Sequence, residues 1–247
     1  MTAFGLDQVT IVVPTRNEEA NIETFLRSLP PVVRLIVVDS SEDRTPELIE
    51  RCRPSATVVR AKLNIPEARQ LGANLAVTPW LLFTDADVRF PADYFPRLAR
   101  VSIDDRVGGL VGTKSTADGF DTYHRWFARG QAVLHAFGVP AATGSNMLVR
   151  GSTLQAVGGF DRRLTVNEDT EVMFRIAKAG YDVGFEPGLR VLATDHRRLE
   201  AGLARKIVHG AVRNSALWLG VLGPQVRSGD WGYWNGKASQ PAPEAGR

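Results

Sequence analysis

The feature that most constrains this chain is the rhythm of its first half, where short apolar runs alternate with helical patterns. Val9–Val13 (VTIVV), Arg34–Val38 (RLIVV), Ala56–Arg60 (ATVVR) and Trp80–Thr84 (WLLFT) are short, rich in β-branched or bulky residues and followed by polar turns. They read as buried strands. Between them, Glu18–Leu29, Thr45–Arg53 and Pro66–Val77 read as helices, with Pro66 in a first helical turn where its missing N–H costs nothing. Strand–helix alternation predicts an α/β fold with a doubly wound, mostly parallel sheet. Such sheets bind ligands at the carboxyl ends of their strands, so the residues after each strand matter most.

Three of the four strands end in a polar signature. The first runs into Pro14-Thr15-Arg16-Asn17-Glu18, the second into Asp39-Ser40-Ser41-Glu42-Asp43, and the fourth into Asp85-Ala86-Asp87. The last is the most informative. Two carboxylates one residue apart, directly after a buried strand, are costly to bury unpaired. A hard divalent cation, Mg²⁺ or Mn²⁺, resolves that cost by taking carboxylate oxygens together with substrate phosphates. A lone D-x-D is common, however, and a solvated turn is the competing reading.

The second half is less regular. Asp93–Val101, Asp121–Phe137 and Glu168–Ala179 have helical patterns, and Gly108–Thr113, Asn146–Arg150, Asp182–Glu186 and Arg190–Ala193 read as strands. Leu203–Leu222 is a last long helical pattern, and from Gly236 the composition of Gly, Pro, Ala and Ser predicts a disordered tail. The expected organisation is one domain over residues 1–235. A nucleotide-binding half covers 1–113, an acceptor half 114–200 and a C-terminal helix 201–235.

Charge narrows the partners. The formal net charge is +3, an excess that suits a phosphate-bearing ligand, an anionic membrane surface or nothing specific. No basic run is long enough to suggest nucleic acid. There is no signal-peptide pattern and no run of ~20 apolar residues, and the single cysteine, Cys52, has no internal disulfide partner. The expected location is cytoplasmic, or peripheral on the inner face of a membrane.

Six segments in order carry a family resemblance: VTIVVPTRNEEANI, LIVVDSSED, NIPEARQLGANLA, WLLFTDADV, TGSNMLVRGSTLQAVGGFD and NEDTEVMFRIAKAGYDVGF. Together they span Val9 to about Asp195 and resemble glycosyltransferase family 2, whose members have the GT-A fold and are typically inverting. The resemblance implies that Asp85 and Asp87 bind a metal holding a donor diphosphate, with Asp87 the direct ligand, and that Ala86 lies with them in the motif. It puts Asp39 against the nucleotide base, where a turn-capping role is the alternative. Pro14, Thr15, Arg16 and Glu18 would line the nucleoside, and Arg69 would approach the base or diphosphate. Where the family often has glycines before that arginine, Ile65-Pro66-Glu67 stands instead.

Glu168 and Asp169 match the family's acidic motif at a helix start. There a carboxylate serves as general base, although acidic residues also favour a helix N-terminus electrostatically. Gly158–Asp161 resembles the acceptor-side turn, and Thr143–Asn146, with Ser145 and Asn146, resembles a loop beside the donor sugar. His196 is either a third metal ligand or a surface histidine. The family's processive Gln-x-x-Arg-Trp motif is absent, which implies transfer of single sugars. The implied partners are a nucleotide diphosphate sugar and a sugar, lipid-linked or small-molecule acceptor. The competing functions are a sugar-phosphate nucleotidyltransferase, which usually has a glycine-rich basic loop after its first strand, and an inactive binding module. Arg197, Arg198, Arg205, Lys206 and Arg213 in or before the last helical pattern suit an interfacial helix or a solvated basic face.

Overall fold

The computed structural model describes residues 5–116, 121–164 and 167–194. After a 3-10 turn at Leu6–Gln8 come β1 (Val9–Thr15), α1 (Ile22–Arg27), β2 (Arg34–Asp39), α2 (Thr45–Cys52), β3 (Thr57–Arg60), α3 (Ile65–Leu75) and β4 (Trp80–Phe83). The second half adds β5 (Val88–Arg89), α4 (Tyr94–Leu98), β6 (Val107–Thr116), α5 (Asp121–Ala136), β7 (Met147–Arg150), α6 (Gly151–Ala156), α7 (Glu168–Lys178) and β8 (Asp182–Ala193).

One eight-stranded sheet runs through both halves in the order β3-β2-β1-β4-β7-β6-β8-β5. β1 pairs in parallel with β2 and β4, and β2 with β3, as the crossover helices require. The second half is mixed: β7 is antiparallel to both β4 and β6, β8 is parallel to β6, and β5 is antiparallel to β8. Alternation in the strands sorts side chains to the two faces. Val9, Ile11 and Val13 of β1 enter one apolar cluster with Phe25, Leu35 and Val37, while Val12 joins Phe83, Met147 and Met173 on the other side. Each fully buried side chain of this size contributes roughly 1.5–3 kcal/mol.

The expected strands of the first half are all present. Its first helix is shorter than the pattern implies. Asn17 takes a left-handed backbone (φ 55°), and the Glu18 N–H is claimed by Thr45 Oγ1 at 2.9 Å, so tertiary bonds replace the first helical turn. Helix α4 is likewise shorter than expected. The two strands expected at 182–186 and 190–193 are one strand, β8, with a register irregularity between Phe185 and Arg190, where Pro187-Gly188 interrupts the ladder. β5 and α6 had no clear signal, being two and six residues long. The helical pattern at 203–222, the tail from 236 and His196 lie outside the described residues.

Candidate active site

Adjacent strands bring the polar signatures to one edge of the sheet. Thr15 at the end of β1 is in register with Asp39 at the end of β2, and the Thr84 N–H after β4 donates to Val12 O at 3.2 Å. The β1 and β2 loops are stitched together, with Asn17 N–H donating to Ser41 Oγ at 2.8 Å and Glu42 N–H to Asn17 Oδ1 at 2.9 Å.

Asp39 is fully enclosed. Its Oδ1 accepts from the hydroxyls of Thr15 and Ser41, each at 2.6 Å. Its Oδ2 accepts from Ser41 N–H at 3.3 Å and pairs with Arg60 Nη1 at 3.2 Å. A carboxylate has about four acceptor positions, and all are occupied from within the chain. Of those donors Arg60 alone is largely exposed (54%). Pro14 is half-buried at the end of β1 and Arg16 is exposed. The Glu18 carboxylate accepts from Asn21 Nδ2 at 2.8 Å, which ties it to the start of α1.

Arg69 is the centre of the arrangement. It sits in α3, whose start is set by a reciprocal capping box: Asn64 Oδ1 accepts from Glu67 N–H at 2.9 Å and Asn64 N–H donates to Glu67 Oε2 at 3.1 Å. Ile65-Pro66-Glu67 therefore supplies a firmly anchored helix start in place of a glycine loop. From there the buried guanidinium donates to Asp85 Oδ1 at 2.9 Å and to Glu168 Oε1 at 2.5 Å, linking β4's loop to α7. Burial alone would lower its pKa, but Glu168, Asp85 and Asp169 outweigh burial and hold it raised. A Cβ on Gly144 would stand 2.4 Å from Nη2, so a side chain there would have to displace the guanidinium.

Asp85 Oδ2 accepts from the Ser145 hydroxyl at 2.6 Å, and Ala86 is buried between the two aspartates. Asp87 differs from Asp85. Its Oδ1 is shut off from solvent and accepts no hydrogen bond. Its ion-pair partner, Lys114 Nζ of β6, stands 3.7 Å away, too far to donate. An orphaned buried carboxylate oxygen beside a second carboxylate fits a divalent cation. Among the described residues no three His, Cys, Asp or Glu side chains form a metal cage. The described chain ends at Thr194, whose N–H donates to Asp87 O at 2.8 Å.

Glu168 and Asp169 divide their roles by direction. Glu168 is buried against Arg69. Its carboxyl is pushed up to about 7 by burial, with Arg69 opposing and Asp169 adding to the rise. Asp169 is half-buried and faces the loop before β7. Its Oδ2 accepts from Gly144 N–H and its Oδ1 from Thr170 N–H, each at 2.6 Å. Burial raises its pKa too, against Arg69 and those two amides. The N-cap residue, Asn167, makes no side-chain cap bond, and the Asp169 carboxylate takes a first-turn amide of α7, that of Thr170.

Asn146, expected beside the donor sugar, is instead a buried cross-link. Its Oδ1 accepts from Tyr94 OH at 2.6 Å, and its Nδ2 donates to Thr113 O at 3.0 Å and Leu189 O at 2.9 Å, which uses both amide N–H groups and one acceptor position. Burial raises the Tyr94 phenol, which stays protonated as donor. Lys114, by contrast, belongs to the site and was not foreseen: its Nζ lies 3.3 Å from Ser145 Oγ. The available signal was its place as the lone charge in VGGLVGTKST. The turn Gly158–Asp161 borders a cleft of about 580 Å³ walled by Arg162, Arg163 and Arg175. Gly159 has φ 74°, and a Cβ there would meet Gln70 Oε1 at 2.1 Å.

A protein of Rhizobium meliloti, succinoglycan biosynthesis protein ExoA, is 29% identical over 195 residues, covering 70% of this chain and 59% of its own. The pre-mycofactocin glycosyltransferase of Mycobacterium tuberculosis is 26% identical over 219 residues, covering 82% of this chain and 46% of its own. The chain thus spans about half the length of these relatives. Among solved structures, the mannosyltransferase PcManGT from Pyrobaculum calidifontis, in complex with GDP-Man and Mn²⁺, superposes with a TM-score of 0.66 at 23% identity, covering 83% of this chain and 64% of that one. The family model described as Glycosyl transferase family 2 matches residues 10–157, the stretch that carries Asp39, Arg69 and the aspartates after β4. The chain belongs to glycosyltransferase family 2 and has its GT-A fold.

Proposed function

We propose that this chain is an inverting, divalent-cation-dependent glycosyltransferase. It moves one sugar from a nucleotide diphosphate sugar, uridine favoured and guanosine the alternative, to a hydroxyl acceptor. The observation that carries this reading is the pair of carboxylate sets on different elements: Asp85 and Asp87 after β4, and Asp169 at the start of α7. Arg69 and the Gly144 amide hold the two sets in one rigid site.

Asp87 and Asp85 would hold Mn²⁺ or Mg²⁺, and His196, which lies outside the described residues, is either a third ligand or a surface histidine. Such an ion would supply charge neutralisation for the donor diphosphate. Lys114, beside both Asp87 and Ser145, adds a second cation for the donor's phosphates. Asp39 accepts an N–H from the base in place of Arg60; uracil N3 and the guanine edge both offer one.

Inversion requires the acceptor oxygen to attack the anomeric carbon opposite the leaving diphosphate. The new carbon–oxygen bond forms as the carbon–diphosphate bond breaks, and the hydroxyl proton passes to Asp169. That residue is favoured over Glu168 because it is half-buried with a free lone pair on each oxygen, while Glu168 is committed to Arg69. Its raised pKa makes it a stronger base than an ordinary aspartate. Gly158–Asp161 would lie on the acceptor side.

The test is incubation with UDP- and GDP-sugars and Mn²⁺, reading nucleoside diphosphate release and the product's anomeric configuration. Release is expected to stop in Asp87→Ala and in excess EDTA. Full activity in EDTA, or a product that retains configuration, defeats the reading.

A further inference from the structure

Helix α5 is built inside out. The side that faces the sheet carries His124, Gln131 and His135, with the small Ala128 between them, at helical spacing. His124 and Gln131 are buried. Gln131 Nε2–H donates to Ala141 O at 3.2 Å, and His135 Nε2–H reaches the same carbonyl at 3.0 Å. The opposite side carries Trp126, Val133, Leu134 and Phe137, exposed by 67%, 56%, 40% and 81%. At ~100° per residue, Trp126, Val133 and Phe137 fall within ~40° of one another and about half a turn from His124 and Gln131. A single exposed apolar residue is ordinary, but a line of them opposite the packing face marks an interaction surface.

The charge of the helix selects the occupant. After Asp121, its first residue, there is no Asp or Glu as far as Gly144. Arg125 and Arg129 are exposed along one flank of the apolar line, and the Arg129 guanidinium lies 5.8 Å from the Trp126 ring centroid. A second copy docked antiparallel about a twofold axis would bring the arginine-bearing flanks toward each other. An anionic bilayer complements them, and Trp and Phe flanked by Arg is the composition of a helix lying in the headgroup region. No helix among the described residues is long and apolar enough to cross a membrane, so contact would be at the surface. The face also adjoins the active site: the segment after α5, tethered at Ala141, runs directly into Gly144 and Ser145.

We propose that the outer face of α5 docks on an anionic lipid bilayer. Trp126, Val133 and Phe137 enter the headgroup region, and Arg125 and Arg129 meet lipid phosphates. The docking stands apart from sugar transfer. Its consequence, an amphiphilic acceptor presented at that surface, rests on the transfer reading.

The test is flotation of the full chain at low salt. Vesicles of equal parts phosphatidylcholine and phosphatidylglycerol are compared with phosphatidylcholine alone, and no turnover is required. Stronger flotation with the mixed vesicles is expected. Replacing Trp126 and Phe137 together by Ser should weaken it by roughly tenfold or more. Arg125→Gln and Arg129→Gln should each weaken it about fivefold, on the anionic vesicles only. These side chains are exposed, so the melting temperature should hold, and circular dichroism checks that. Absence of flotation overturns the proposal, as does flotation unchanged in the Trp126/Phe137 variant. A dimer abolished by that same variant, without flotation, would assign the face to a second copy instead.

Discussion

Replacing Arg69 by Leu removes the one cation buried among three carboxylates. The Arg69 side chain is 3% exposed and that of Glu168 10%, while Asp85 is 32% exposed and can turn to solvent. Glu168 is therefore the group left stranded. Breaking a buried ion pair by removing one partner costs ~3–5 kcal/mol. In a protein of this size each kcal/mol moves Tm by roughly 2–4 °C, so Arg69→Leu should lower Tm by about 6–20 °C. Adding Glu168→Gln removes the stranded charge, so the double variant should recover at least ~1 kcal/mol.

The loss should also depend on pH. The Glu168 carboxyl already stands at about 7 because burial outweighs Arg69, and without Arg69 it rises further. A carboxyl raised above its ordinary value of ~4.3 contributes stability that is fully present below that value and is lost as pH rises through the folded pKa. The gap between single and double variants should thus widen from acidic to mildly alkaline pH. Thermal melts of the four proteins across that range read it directly. An Arg69→Leu protein within ~1 kcal/mol of wild type, or a gap that is flat with pH, would refute the buried-charge reasoning.

Asp169→Asn should lower turnover by ~10²–10⁴-fold with donor affinity nearly intact by titration; wild-type turnover there, with loss in Glu168→Gln, would swap the two roles. Asp39→Ala should weaken donor binding more than it slows chemistry, and a donor affinity equal to wild type would leave Asp39 as a purely structural fastening for Thr15, Ser41 and Arg60. Asn146→Ala orphans the buried Tyr94 hydroxyl and two carbonyls, at ~1–3 kcal/mol for an unsatisfied group. It should lower Tm while leaving the donor KM unchanged, and a large rise in KM would return Asn146 to the donor site.

What the sequence determined alone is local. Strand alternation with a period of two and helical crossovers specify the β1–β4 half, because parallel neighbours need those crossovers and buried strands need unbroken apolar runs. The aspartates after β4 are legible for the same reason, since a strand end followed by two carboxylates is a local pattern. Tertiary structure decided the rest. Glu168 and Asp169 look equivalent in sequence, yet one α-helical step of about 100° turns Glu168 into Arg69 and Asp169 toward Gly144. Asn146 reads as a sugar contact until β6, β8 and α4 close around its amide. Lys114 joins the site only because β6 lies beside β7, and the loop before β7 carries Ser145. Contacts between residues 31 and 99 positions apart, as in Lys114–Ser145 and Arg69–Glu168, depend on how the sheet is ordered. Its order in the second half follows from antiparallel β7 entering between β4 and β6, which no local periodicity announces.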